Sequence, residues 1–358
     1  MQKVDGMNYA PVSQGKINIV CEKGDFVFSV IGLDHGHIFA MCNGLVEAGG
    51  VLKDVFDDDS EKVREFKERY PEVKIAENME KILDDGSIQM IVSAVKPYKR
   101  CELGILAMEK GKDFFVDKPG MLTLNEIEKI RSVCKVTNKK YIIYFGERVH
   151  VEGAVFAEQL IKKGIIGDVI QITILAPHRL NKNSRPEWFF EKEKNGGIIT
   201  DLGSHQIEQF LTFAGAKTAK VKSSYLFNYS NKDKINFYDY GEGNLIADNG
   251  ATCYFQVHWF TPEGLRAWGD GRVFILGTKG YIEVRKYLDI SRSIEGDNVF
   301  WVDSEGEHYE NVTGKVGFLF FGELILDCLN RTEVTMTQEH ILEAMKIAIL
   351  AEESAERN

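Results

Sequence analysis

Through residue 147, apolar runs of strand length alternate with stretches of helical spacing. Asp25–Ile31 (DFVFSVI) is apolar nearly throughout and stops at Gly32. Gly50–Asp57 (GVLKDVFD), Ile88–Val95 (IQMIVSAV), Asp113–Val116 (DFFV) and Tyr141–Phe145 (YIIYF) are further runs of this kind. Between them, Ile38–Ala48 has helix-like spacing, and a charged helix over Ser60–Tyr70 is stopped by Pro71. Cys101–Lys110 reads as a helix with Gly111 just past its end, and Thr123–Cys134 as another. Strands apolar on both faces, each returned by a helix, belong to a parallel sheet covered on both sides. Residues 25–147 are therefore expected to form a doubly wound α/β unit.

The pattern changes after that. Val155–Lys163 is a helix closed by Gly164, Val169–Leu175 alternates as a strand, and Ser204–Phe213 is helical. Strands are expected at Val221–Tyr229, Ala251–Phe260, Arg272–Leu276 and Tyr281–Arg285, the last two joined by the turn Gly277-Thr278-Lys279-Gly280. Helices near Phe318–Leu329 and Gln338–Glu353 close the chain. Residues 148–358 thus read as an α+β domain with a mostly antiparallel open sheet, and residues 1–24 as a polar leader. On the Ala251–Phe260 strand, Phe255, Val257 and Trp259 share one face, which is expected to be covered by another subunit in a homodimer or homotetramer.

Composition narrows the function. The chain has 358 residues, enough for two domains, and 54 acidic against 44 basic side chains give a formal charge of −10. With no dense Lys/Arg block, nucleic acid is not an expected partner. No apolar window reaches the roughly 18 residues of a membrane span, and the leader holds no signal-peptide core. The six cysteines are scattered singly, without C-x-x-C, which excludes a sequence-evident zinc site or disulfide framework and fits a reducing cytoplasm.

Gly32 stands where the first strand must turn into a helix whose N-terminal amides can hold a pyrophosphate. The dinucleotide fingerprint G-x-G-x-x-G is altered here to Gly32-Leu33-Asp34-His35-Gly36-His37. A strand-to-helix turn without ligand explains these residues about as well. Asp57, 25 residues after Gly32, stands near the spacing at which a carboxylate meets an adenosine ribose. Asp58 follows with no nearby arginine, which favours NAD over NADP; Asp57–Asp59 also suit a turn capping the next helix. His35 and His37 alone are too few to define a metal site.

Asp117-Lys118-Pro119 ends a strand, so Lys118 is expected to project into the ligand crevice, aimed by a bond in which a cis peptide is cheap; a strand-exit lysine in solvent is the alternative. Further on, Asn195-Gly196-Gly197 precedes Asp201-Leu202-Gly203-Ser204-His205. Asp201 and His205, four apart, share a helix face, and the glycines allow close backbone approach to a ligand. Oxidising an alcohol needs a base for the hydroxyl proton, which histidine supplies. An isolated i,i+4 Asp/His pair is more often a surface pair. His178, Arg179, Arg185 and Trp188 lie at a strand end and in the next loop, where they could line a substrate pocket.

Together D-K-P, the distal G-G-x-x-x-D-x-G-x-H and the two-domain order resemble the Gfo/Idh/MocA oxidoreductase family, over about residue 25 to the end. Arg148, Gly164-Ile165-Ile166-Gly167 and Glu353-Ser354-Ala355 add to the likeness. The resemblance implies a Rossmann domain followed by an α/β domain with an open sheet. It implies Lys118, Asp201 and His205 as the active site, with a sugar- or polyol-like substrate. For the cofactor it implies Gly32, Asp34, His35, Gly36, His37, Asp57, Asp58, Ala94, Val95, Asp117, Lys118, Pro119 and Arg148 as the crevice. The same family also admits redox-neutral enzymes that recycle bound NAD (epimerases, eliminases, glycosidases) and a dinucleotide-binding corepressor. Departures are Asp for Glu in D-K-P, the altered glycine fingerprint, no histidine after Ala94-Val95-Lys96-Pro97, and Glu208 where Asp is usual.

Overall fold

The computed structural model describes residues 18–292 and 295–357; most of the leader lies outside them. The first sheet is built by β1 (Val27–Ile31), α1 (His37–Glu47), β2 (Val51–Phe56), α2 (Ser60–Arg69), β3 (Lys74–Ile75), α3 (Met79–Leu83), β4 (Met90–Ser93), α4 (Pro97–Glu109), β5 (Asp113–Asp117), α5 (Leu124–Thr137) and β6 (Tyr141–Tyr144). Its strands are all parallel, in the order β3-β2-β1-β4-β5-β6. Every residue of β4, β5 and β6 is buried, which is why they read as unbroken apolar runs. The connections reverse direction between β1 and β4, and at such a switch point the carboxyl ends of the strands leave a crevice. Local chemistry sets the helix ends: Asp59 caps α2, and Thr123 and Glu126 form a capping box on α5.

The second sheet follows, from α6 (Gly146–Val149), α7 (Glu152–Lys162), β7 (Val169–Pro177), α8 (Lys192–Asn195), α9 (Ser204–Ala214), β8 (Ala219–Phe227), β9 (Tyr240–Ala247), β10 (Thr252–His258), β11 (Arg272–Gly277), β12 (Tyr281–Arg285), β13 (Asn298–Val302) and β14 (Glu307–Asn311). Its eight strands run in the order β14-β13-β12-β11-β7-β10-β9-β8. All neighbours are antiparallel except β7 and β10. The turn at Gly277–Gly280 closes as expected, with the Gly277 N–H donating to the Gly280 carbonyl. Strand β9 escaped the sequence pattern because Gly241 and Gly243 stand where apolar side chains would mark a strand. A Cβ at Gly243 would lie 2.6 Å from the Phe255 ring.

Two expectations are corrected. Phe255, Val257 and Trp259 do not face outward: all three are buried, β10 packing on α9 and the turn before it while Trp259 sits against His178 and Phe189. The open face instead carries exposed aromatics, including Phe227, Tyr229, Phe274 and Tyr281. The closing helices α10 (Leu319–Asn330) and α11 (Gln338–Glu356) are not confined to the second domain. Phe321 of α10 packs over Gly44 of α1. Gln338 of α11 bonds both backbone groups of Tyr141, while Ser224 of β8 donates to the carbonyl of Ala351. All six cysteines are free thiols, and among the described residues no helix is long and apolar enough to cross a membrane.

Candidate active site

The cofactor crevice begins at Gly32, whose φ of +90° suits glycine. A Cβ there would lie 2.0 Å from Cγ1 of Val95, so the exits of β1 and β4 close on each other only without a side chain. The Ala94 N–H donates to the Gly32 carbonyl at 3.1 Å. Asp34, in a glycine position of the fingerprint, lines the cavity with its charge paired. It accepts from Lys62 Nζ at 2.7 Å and from the Lys96 N–H at 3.0 Å. Gly36 caps α1 without a side chain; the N–H groups of His37, Ile38 and Phe39 bond within the turn at 3.2–3.3 Å, and the helix dipole favours an anion at this end. The glycine turn, this helix end and the lysine-paired Asp34 fit a dinucleotide.

Asp57 sits at the end of β2, where it accepts from the Leu33 N–H at 2.6 Å and the Asp59 N–H at 2.8 Å. It tethers the glycine turn as well as facing the recess that it shares with Asp58. The expectation of no nearby arginine is corrected, because Arg64 lines the same recess, together with Lys67. Arg64 pairs with Glu61, and Lys67 donates to the Val73 carbonyl.

Where the two sheets meet lies a cavity of about 690 Å³, lined by Lys118, Asp201 and His205 among others. Lys118–Pro119 is cis, and Lys118 Nζ is 2.8 Å from Asp201 Oδ1. Ile199–Gly203, which carries Asp201, is a turn of π-helix that runs directly into α9 and His205. Single π turns of this kind recur at functional sites. The spacing put Asp201 on one helix face with His205; in the structure its side chain pairs with Lys118. Gly196 and Gly197, expected to approach a ligand, approach protein. A Cβ on Gly197 would lie 2.1 Å from Glu352 Oε1, and one on Gly196 would lie 2.7 Å from Leu122. Glu352, which sequence reasoning missed, receives the Ile199 N–H at 2.7 Å and so seats the turn. Its burial pushes its carboxyl up to about 8.

His205 is buried, and among the described residues its Nδ1 has no hydrogen-bond partner. Burial lowers its pKa to about 3, with the neighbouring Glu147 carboxylate opposing that shift. The imidazole is thus neutral at pH 7. Glu147, also missed in the sequence, follows β6 and accepts from Gln206 Nε2 at 3.1 Å and Lys286 Nζ at 3.1 Å. Its signal was only its position beside Arg148.

His35 and His37 have a third partner that the sequence did not place beside them. Their Nδ1 atoms lie 3.1 and 2.8 Å from the two oxygens of Asp117. The three ligand atoms are close enough to share one cation. The carboxylate also takes the Lys118 N–H at 2.8 Å and Arg100 at 3.3 Å.

Arg148 is corrected from cofactor contact to structural ion pair: its guanidinium grips Glu208 at 2.6–2.9 Å and Glu158 at 2.9 Å, away from the cavity. Arg179 lines the cavity, but one Nη serves the carbonyls of Pro262, Leu265 and Ala267. It pins that loop. Arg185 lies 4.4 Å over the Phe189 ring and 5.4 Å from that of Trp259, and with His178 and Trp188 it lines the substrate side.

A parallel dinucleotide-type sheet, a glycine turn and a buried Lys and His with a half-buried Asp in one interdomain cavity define an oxidoreductase of the NAD-binding Rossmann class. The chain belongs to the Gfo/Idh/MocA family: residues 29–145 match its oxidoreductase model with NAD-binding Rossmann fold, and residues 155–283 match its C-terminal domain. A crystal structure from Erwinia carotovora atroseptica, of a protein classed as an oxidoreductase, is 43% identical with a TM-score of 0.89, covering 92% of this chain and 99% of that one. The scyllo-inositol 2-dehydrogenase (NADP(+)) of Bacillus subtilis is 23% identical over 62% of this chain and 66% of its own length. The match to a Schizosaccharomyces pombe oxidoreductase spans 42% of that relative. Levoglucosan dehydrogenase in complex with NADH and levoglucosan shares the fold, with a TM-score of 0.76 at 17% identity and coverage of 93% and 97%.

Proposed function

We propose that this protein is an NAD-dependent dehydrogenase that interconverts a secondary alcohol of a sugar or polyol and the corresponding ketone. The observation that carries this reading is the convergence of Lys118, Asp201 and His205 on one cavity beside the glycine turn. A bound nicotinamide dinucleotide would supply hydride acceptance or donation, held by Gly32, the α1 N-terminus and Asp57. Neutral His205 takes the hydroxyl proton as the carbinol is oxidised and returns it in the reverse direction. The Lys118 ammonium stabilises negative charge on the substrate oxygen, and Asp201 fixes that ammonium in place. Relatives named for inositol, xylose and levoglucosan oxidation support the substrate class.

The test is a screen of sugars and inositols with NAD, following NADH absorbance, with chromatography of products to detect turnover without net redox change. NADH formation that falls by about 10²–10⁴ in His205→Asn, at unchanged NAD affinity, is the expected result. Product formation without NADH would refute net oxidation, and a His205→Asn variant with most of its activity would refute the base.

A further inference from the structure

Beside His205, the cavity contains an ion pair that the reaction just described does not use. Glu147 stands in α6 and Lys286 just past β12, and both line the cavity. Each is at most 5% exposed. Their closest contact is Lys286 Nζ to Glu147 Oε2, at 3.1 Å. An ammonium carries three donors, yet among the described residues Glu147 is the only hydrogen-bond partner of Lys286 Nζ. On the carboxylate, Oε1 receives Gln206 and lies 3.5 Å from His178 Nε2, while among the described residues Oε2 receives only Lys286. A buried pair with so much hydrogen-bonding capacity unused is costly to maintain. Burial depresses the lysine pKa, and the glutamate opposes that shift.

The unused capacity has a definite chemistry. Two N–H donors and a carboxylate lone pair stand side by side on the cavity wall. An anionic group would meet Glu147 and a cationic group would meet Lys286, so the pair selects a neutral partner. That partner must both donate and accept at adjacent atoms, as two neighbouring ring hydroxyls do. Trp268 and Tyr287, with ring centroids 4.9 Å apart, line the same cavity and offer flat apolar surface to the C–H bonds of a ring. We propose that Glu147 and Lys286 form a vicinal-diol subsite, so that the substrate is an uncharged ring with a pair of adjacent hydroxyls. The inference rests on the alcohol-oxidation reading for the identity of the cavity.

The test compares trans-1,2-cyclohexanediol with cyclohexanol, which shares the ring and one carbinol but lacks the second hydroxyl. Binding to the NADH-loaded protein is measured by calorimetry, and oxidation with NAD is followed separately. The subsite predicts at least ten-fold tighter binding of the diol. In Glu147→Gln/Lys286→Met, which removes both charges together, that preference should shrink to less than three-fold, with KM for inositols rising more than kcat falls. Equal binding of the two alcohols to the wild type, no binding of either, or a preference that survives in the folded double variant would overturn it. Should the double variant fail to fold, the wild-type comparison decides alone. Diol-selective binding without NADH formation from any polyol refutes the oxidation reading and leaves the subsite standing. NADH formation from inositols with no diol preference does the reverse.

Discussion

Lys118 Nζ and Asp201 Oδ1 meet at 2.8 Å although 83 residues separate them in the chain. One ends the fifth strand of the parallel sheet and the other lies on the π turn of the second domain, so the bond joins the domains at the cavity. Desolvation would raise the Asp201 pKa, but Lys118 outweighs it and holds the carboxyl below its usual range. Removing either partner has separable effects. Lys118→Ala should lower polyol oxidation by about 10²–10⁴ through lost stabilisation of the reacting oxygen. Asp201→Asn should cost less, because the amide oxygen can still accept from the ammonium. Steady-state kinetics of both variants and their double mutant check this, and the double should fall well short of the product of the two effects.

Glu352 gives a pH signature. In the folded protein its pKa is raised to about 8, whereas the unfolded chain ionises near the ordinary glutamate value of about 4.3. Above that lower value the unfolded state releases a proton that the folded state keeps, so the contribution of Glu352 to stability declines as pH rises and levels off above about 8. Glu352→Gln removes this dependence. Urea unfolding should show the variant gaining on wild type steadily between pH 5 and pH 8. Glu352→Ala, which strips the Ile199 and Thr200 N–H groups of their acceptor, should lose about 1–3 kcal/mol at pH 5.

Cofactor choice depends on the recess at the end of β2. With Asp57 and Asp58 at its rim and Arg64 tied to Glu61, NAD is expected to bind at least ten-fold tighter than NADP, about 1.4 kcal/mol. Asp57→Ala should erase the preference and also loosen the glycine turn, because the Leu33 N–H loses its acceptor. Calorimetric titration of both dinucleotides measures the ratio. Equal affinities in the wild type would remove Asp57 from the role of ribose acceptor.

The outer face of the second sheet predicts self-association. Phe227, Phe274 and Tyr281 are 38–41% exposed and Tyr229 is 58% exposed, an aromatic surface that a second copy of the chain is expected to cover. Sedimentation at micromolar concentration should give a dimer or tetramer. Phe227→Glu combined with Phe274→Glu should shift it toward monomer without lowering the unfolding temperature of the subunit.

The sequence by itself determined the alternation of apolar runs and helices through residue 147, because strands buried on both faces leave no choice of pattern. It also marked Lys118, Asp201 and His205, since D-K-P at a strand end and D-x-x-x-H before a helix are short-range signals. What it could not contain is any contact between distant segments. The pairing of Asp201 with Lys118, the seat that Glu352 provides for Gly197, and the clasp of His35 and His37 on Asp117 all join segments that only folding brings together. Arg148 looked like a cofactor residue until Glu208 and Glu158 took its guanidinium. Phe255, Val257 and Trp259 show the same limit: alternation told that they share one face, but helices from elsewhere in the chain decided that this face lies inside.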